Sequence, residues 1–304
     1  MRRTLIVPLV LAVWPAITAG QVSFSDYDPD SPPARQFQYP PPDVAPLTPE
    51  PADWTARRQT GFTVSWLPGS GDDLGITSFD LYSTFAVGSN GLTVTPGGGI
   101  DLTDGPTSTD LPPRLYNLYL DVMWQKQVND RFGFELALMP TWFSDFKQSD
   151  SDAFRLLGRA IGYYECNEST QLVLGVVYLD LGDVPWLPIA GLVWFPSEDV
   201  QIDLLFPRPR IGVRIERSEC RDRWLYLAGE FGGGSWAIER VWGASDVATY
   251  SDVRLVAGLL NNYSDGQSWR AEIGYVFGRW LDYDSGLGNY DPDDTLMLRF
   301  GFLY

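Results

Sequence analysis

The last ten residues place the strongest constraint on what this chain can fold into. From Thr295 to Tyr304 large apolar side chains occupy every second position, and an aromatic residue ends the chain. Alternation with period two predicts a β-strand, because successive side chains of a strand point to opposite faces. A strand with so continuous an apolar face is typical of a membrane barrel with lipid on one side. The alternative is a strand of a soluble β-sandwich, buried on one face.

The same alternation recurs along the chain from Thr60 onward, broken by turn residues such as those at 68–71. Counting these runs predicts about 14 strands, with an error of about two, because weak strand signals are easily merged or split. The prediction is therefore an all-β fold: a single antiparallel transmembrane β-barrel of about 12–14 strands over residues 59–304. Residues 97–113 and 232–249 are interpreted as long loops. Treating residues 232–249 as a single loop places every short turn at the same end of the barrel as both termini, which is the arrangement of membrane barrels.

The N-terminal segment predicts export. Residues 1–20 have Arg2 and Arg3, then an apolar run from Leu5 to Ile17, then small residues, which is the pattern of a secretory signal peptide. A retained anchor is the alternative, but the run is short for a helical span. Residues 21–58 are rich in proline and polar residues, which predicts a disordered periplasmic lead. No later run approaches the roughly 18 apolar residues of a membrane helix, so the predicted location is the bacterial outer membrane.

Composition excludes several functions. The chain of 304 residues has no histidine, which removes Ser–His–Asp hydrolysis and histidine-ligated metal sites. Its formal net charge of −17 makes nucleic acid a poor partner. We therefore expect neither an enzyme nor a cofactor. The expected partners are outer-membrane lipid, the barrel-assembly machinery and small solutes; the sequence does not specify the oligomeric state.

Charged residues alternate with strongly apolar ones on several predicted strands. Where Ile211, Val213 and Ile215 face lipid, their neighbours must face the lumen, since Arg or Lys on the lipid face costs about 2–4 kcal/mol near the bilayer midplane. The candidates for the lumen lining are Asp121, Glu135, Arg155, Arg159, Asp203, Arg210, Arg214, Glu216, Arg254, Arg270, Glu272 and Arg299. Two interpretations stay open: a charged channel lining, or an interior closed by arginine–carboxylate pairs.

Aromatic residues supply two further predictions. Phe300, Phe302 and Tyr304 resemble the C-terminal signal with which bacterial outer-membrane barrels are assembled. Several tryptophans lie near predicted strand ends and suit the aromatic girdles at the two membrane interfaces. These are Trp142, Trp186, Trp194, Trp224, Trp269 and Trp280.

Two smaller features are weak candidates for sites. Asp282 and Asp284 lie in an acidic loop, but their spacing lacks the full calcium-binding EF-hand pattern, so a solvated loop is favoured. Cys166 and Cys220 could form a disulfide after export. Their turns are separated by about 20 Å along the predicted rim, whereas a disulfide needs Cα atoms within about 7 Å, so the bond is possible but not favoured.

Three motifs resemble an uncharacterised family of outer-membrane β-barrel proteins, across roughly Thr60 to Tyr304. They are the runs at 206–210, 224–236 and 274–279. The resemblance implies fold and location, and no catalytic residues. The first predicted function is a porin-like channel for small solutes through a charged lumen. The alternatives are a closed barrel that acts as an envelope scaffold or surface-binding module, and a secreted soluble all-β binding protein.

Overall fold

The computed structural model is a closed antiparallel barrel of 14 strands, which confirms the predicted fold class. It describes residues 58–69, 73–88, 90–129, 131–147, 151–179, 186–218 and 220–304. The predicted signal peptide and nearly all of the predicted lead fall at 1–57, outside the described residues. In the part of the chain described, no helix is long and apolar enough to cross a membrane.

Each strand pairs with its sequence neighbours, and β1 pairs with β14 to close the ring. The strands are β1 (Arg58–Leu67), β2 (Gly75–Val87), β3 (Leu92–Asp104), β4 (Arg114–Asn129), β5 (Phe132–Ser144), β6 (Phe154–Asn167), β7 (Thr170–Tyr178), β8 (Trp186–Ser197), β9 (Val200–Phe206), β10 (Arg210–Arg217), β11 (Arg221–Glu239), β12 (Ser245–Tyr263), β13 (Ser268–Tyr283) and β14 (Thr295–Leu303).

Connection lengths distinguish the two ends of the barrel. The short-turn end carries tight connections such as 130–131 and 168–169, together with the start of β1 and the end of β14. The long-loop end carries the longer connections, including 105–113, 145–153 and 284–294. Short turns beside both termini are the arrangement of membrane barrels, whose short turns are periplasmic.

The two segments predicted to be long loops are partly strand, so their predicted bounds were wrong. β3 runs to Asp104, and β11 runs to Glu239 before β12 begins at Ser245, which leaves connections at 105–113 and 240–244. Runs of glycine are typical of loops in a sequence. In these two strands, however, neighbouring atoms leave no room for a side chain at several glycine positions. A Cβ on Gly97 would overlap the ring of Tyr119. Gly233 has φ 131°, which disfavours other residues, and a Cβ there would overlap the carbonyl oxygen of Tyr250.

Apolar side chains cover the outside of the barrel. On β10 the exposed residues Ile211, Val213 and Ile215 alternate with less exposed ones, and on β14 Leu296, Leu298 and Phe300 do the same. A water-soluble monomer rarely exposes so continuous an apolar surface, because burying apolar area is the main driving force of folding. This surface is suited to contact with lipid.

The ring is not uniform along its height, because β9 and β10 are short. β10 pairs with β11 only as far as Ala228, whereas β11 and β12 continue pairing with each other to Glu239 and Ser245. We call residues 232–251 the crossing hairpin. Its β11 edge leaves the wall, and Ala237 pairs with Ser144 at the end of β5. At the level of this pairing, nine strands form a closed ring: β11 to β14, followed by β1 to β5.

An apolar core fills this narrower ring. It includes Leu67 from β1, Leu115 from β4, Phe143 from β5 and Trp236 from the crossing hairpin, all at most 4% exposed. Both faces of residues 233–238 are buried, unlike those of strands in the outer wall. Among the described residues, packed side chains therefore fill the part of the long-loop end that this nine-strand ring encloses.

Candidate luminal site

The predicted lumen-lining residues are all buried or half-buried, and most of them have an exposed apolar neighbour in the chain. The structure gathers them into three clusters and leaves Arg155 apart. Arg155 donates to the hydroxyl of Ser235 on the crossing hairpin, at 2.8 Å.

The main cluster is organised around two buried carboxylates. Arg299 of β14 contacts both Glu230 of β11, at 2.7 Å, and Glu272 of β13. The hydroxyl of Tyr226 also donates to Glu272. The guanidinium of Arg210 lies 4.2 Å from the centre of the Tyr226 ring, a cation–π contact. Residues from four strands, β10, β11, β13 and β14, thus share one connected network.

Three more arginines border the same network. Arg208, in the connection between β9 and β10, lies 2.7 Å from Glu230. Arg254 of β12 lies 3.8 Å from Glu230 and 2.6 Å from Asp252. Arg270 approaches Glu272 to 4.0 Å. We call Arg208, Arg210, Arg254, Arg270 and Arg299 the arginine wall.

Sequence reasoning missed Glu230, Asp252 and Arg208, which are central to this network. Glu230 alternates with the apolar residues Leu225 and Leu227, so the phase of β11 alone could have placed it inside. Asp252 was not assigned to the inward face, because β12 was predicted to begin at Val253, whereas it begins at Ser245. Arg208 lies in a turn, where no alternation exists.

The second and third clusters lie elsewhere on the inner surface. Arg159 of β6 contacts Glu135 and lies 3.0 Å from Asp121. Near the short-turn end, Arg214 lies 2.9 Å from Asp222 and stacks over Trp224, while Glu216 contacts Arg221. Asp203 accepts hydrogen bonds from Gln201 at 2.9 and 3.2 Å.

The inward faces of β6 to β9 form an apolar wall beside the arginine wall. Its members are Ile161, Tyr163, Val173, Val177, Leu179, Leu187, Ile189, Val193 and Leu205. Register joins the two walls, because Val193 and Arg210 both pair with Asp203. The apolar and basic surfaces are therefore separated by a single strand, β9.

Polar contacts hold the crossing hairpin to the opposite side of the barrel. The Ala237 carbonyl accepts from the Asp145 amide at 3.2 Å, and the Asp145 carboxylate accepts from the Glu239 amide at 3.1 Å. At the tip, the carboxylate of Asp110 accepts from the Val241 amide at 2.9 Å. Arg240 donates to the carbonyls of Thr109 and Leu287, which belong to two other long connections.

A second set of contacts joins the connection after β1 to the connection after β13. Arg279 donates to the carbonyl of Leu74 at 2.6 Å and to the hydroxyl of Tyr250 at 2.9 Å. The hydroxyl of Tyr290 donates to Asp73, and this bond raises the pKa of Tyr290 to about 12. Tyr290 therefore keeps its proton, and its hydrogen bond, at neutral pH.

The remaining candidates are dispersed. Asp282 is half-buried at the end of β13 and Asp284 is exposed; no group of three or more metal-ligating side chains occurs among the described residues. Cys166 and Cys220 are exposed free thiols at the short-turn end. Trp224 is buried and inward, which overturns its assignment to the aromatic girdle. It turns inward because its indole bonds to Asp222.

Comparisons with known proteins find only distant structural similarity. No model of a known protein family matches the chain, and no curated protein matches it. Among solved structures, the bacterial polysaccharide outer membrane secretin is 9% identical, with 82% of this chain and 98% of that chain covered and a TM-score of 0.39. An outer membrane channel from Pseudomonas putida F1 is 10% identical, with 86% and 99% covered and a TM-score of 0.39. KdgM porin is 9% identical, with 81% and 98% covered and a TM-score of 0.33.

Proposed function

We propose that this protein is a porin-like channel of the bacterial outer membrane, and that the crossing hairpin closes its long-loop end. The observation that carries the proposal is a closed barrel with apolar side chains outside and paired charges inside. Lipid would cover the exterior, and small solutes would move past the charged wall. The periplasmic lead and assembly by the barrel-assembly machinery belong to the same proposal.

The two ends of the lumen differ in polarity and packing, and this difference supports a closure that can open and shut. Toward the short-turn end, the inward side chains include polar, half-buried ones such as Thr84 and Thr95. The apolar core lies at the other end and depends on the crossing hairpin, whose β11 edge meets β5 through one paired residue, Ala237. A strand edge held by so few ladder bonds is easier to detach than a strand within the wall.

A reversible covalent lock tests this proposal. Adjacent strands lie about 4.8 Å apart, which suits a disulfide between cysteines placed at Ser144 and Ala237. We would build Ser144→Cys with Ala237→Cys in a chain whose Cys166 and Cys220 are changed to Ser. In planar bilayers, the oxidised protein should show little conductance, and dithiothreitol should restore it. The matched control, Ala237→Cys alone, should not respond to dithiothreitol.

A loosened variant separates the channel from the closed barrel. Asp145→Ala removes the carboxylate that accepts from the Glu239 amide and should raise the fraction of time spent open. Its control is Asp199→Asn, because Asp199 is highly exposed at the short-turn end. If neither the reduced double-cysteine protein nor Asp145→Ala conducts, the channel is rejected. The closed envelope barrel, which the packed long-loop end favours, would then be the better function.

A further inference from the structure

The ion pairs of the arginine wall bury their carboxylates more deeply than their guanidinium groups. Side-chain exposure is 25% for Arg208 against 4% for its partner Glu230. It is 20% for Arg270 against 4% for Glu272. The order reverses in the Arg214–Asp222 pair at the short-turn rim, at 17% and 29%. In the Arg159–Glu135 pair the difference is smaller, at 16% and 8%. The asymmetry is therefore largest in the Arg208 and Arg270 pairs of this wall.

The arginines of the wall share their buried partners. Five arginines lie around the buried carboxylates Asp101, Asp203, Glu230, Asp252 and Glu272. Glu230 alone serves Arg208, Arg254 and Arg299. Guanidinium groups present several N–H donors in a fork that matches a carboxylate, so a half-exposed arginine can hold one partner and meet another. A solute in the lumen thus meets donors and positive charge.

The apolar wall lies next to these donors. Val193 on β8 and Arg210 on β10 flank Asp203, so two strand spacings, roughly 10 Å, separate their backbones. Ile189 and Leu205 extend the apolar surface on the same side. One small molecule can reach both surfaces if it has an apolar body and an anionic group.

We propose that the arginine wall and the adjacent apolar wall form a binding site for small organic carboxylates with an apolar body. This inference rests on the proposed channel function, because it names the class of solute that the lumen would select. Arg208 and Arg210, which lie beside β9 and next to the apolar wall, contact the carboxylate. Ile189, Val193 and Leu205 contact the apolar part.

Equilibrium dialysis of radiolabelled benzoate against the folded, detergent-purified protein tests the site without requiring conductance. Benzoate should bind, and unlabelled benzoate should compete at least tenfold better than acetate, which lacks the ring, or benzyl alcohol, which lacks the charge. Arg208→Gln with Arg210→Gln should weaken benzoate binding by roughly tenfold or more, as expected when a charge-assisted hydrogen bond is lost. Val193→Thr should weaken benzoate binding and leave acetate unaffected.

The control variant removes the same amount of charge elsewhere. Arg131 and Arg217 are exposed at the short-turn end, so Arg131→Gln with Arg217→Gln changes the overall potential by the same two charges. Heat-modifiable migration on gels confirms that each variant is folded. Absence of benzoate binding, or equal losses in both double variants, would overturn the site. Conductance without benzoate binding would reject the site alone, whereas binding without conductance in any variant would reject the channel alone.

Discussion

At the residue scale, Arg299 lies at the centre of the buried charge network, between two carboxylates. It joins Glu230 and Glu272, and all three side chains are at most 7% exposed. Buried charges are tolerated only in pairs with good hydrogen bonds, because taking an ion out of water is costly. Removing Arg299 would leave two carboxylates with fewer partners in a poorly hydrated place.

We expect Arg299→Met to lower the free energy of unfolding by about 3–5 kcal/mol, the usual cost of removing one partner of a buried ion pair. Urea unfolding of the barrel in lipid vesicles measures this loss. The matched control is Arg217→Met. Arg217 and its partner Glu198 are both more than half exposed, so the expected loss is about 0–1 kcal/mol. Equal losses would show that the network around Arg299 is well hydrated.

At the element scale, β11 is the strand whose path departs from the barrel wall. It begins as an ordinary wall strand beside β10 and ends against β5. Gly233 lies where it leaves the wall, with a backbone conformation that suits glycine and no room for a Cβ. The bend therefore depends on a residue without a side chain.

Gly233→Ala should weaken closure of the crossing hairpin, because the new Cβ would be strained and would overlap the Tyr250 carbonyl. We expect faster solute entry in a liposome-swelling assay, and greater protease sensitivity of residues 239–246. Gly243→Ala is the control: Gly243 also has positive φ, at 82°, but nothing lies within 4 Å of a Cβ there. If both variants behave alike, backbone strain alone explains the effect and the contact at Gly233 is irrelevant.

At the scale of the whole molecule, the pairing of the first and last strands closes the barrel. β14 pairs with β1, and the last bonds of the ladder join Tyr304 to Thr60 at 2.8 and 2.9 Å. The apolar side chains of β14 face outward, with Tyr304 70% exposed. The same residues can therefore serve as lipid contacts and as the predicted assembly signal.

Changing Phe302 and Tyr304 to Ser should reduce the amount of barrel in the outer membrane, because these aromatics resemble the assembly signal. Leu296→Ser with Leu298→Ser is the control: it removes apolar side chains from the same face of β14 but leaves the terminus intact. Membrane fractionation with a heat-modifiability gel measures both. Equal reductions would mean that the terminal aromatics act only as lipid-facing residues.

The native cysteines test orientation. Both are exposed at the short-turn end, which we propose faces the periplasm. A membrane-impermeant maleimide should therefore leave intact cells unlabelled and react after the outer membrane is permeabilised. Val241→Cys in the chain lacking Cys166 and Cys220 should react in intact cells, since Val241 is 88% exposed at the hairpin tip. Labelling that requires prior reduction would instead reveal the disulfide that we do not favour.

The sequence by itself determined most of the strands, their inward and outward faces and their approximate number, because period-two alternation is a local property that a single strand displays. It placed Arg210, Arg270 and Arg299 on the inward face for the same reason. It did not determine which charges meet, since Arg299 and Glu230 are separated by 69 positions and join only when the ring closes. Nor did it show that the glycines at 232–234 belong to a strand that crosses the barrel. That path depends on where β10 ends and where β5 offers a free edge, and only the tertiary structure decides both.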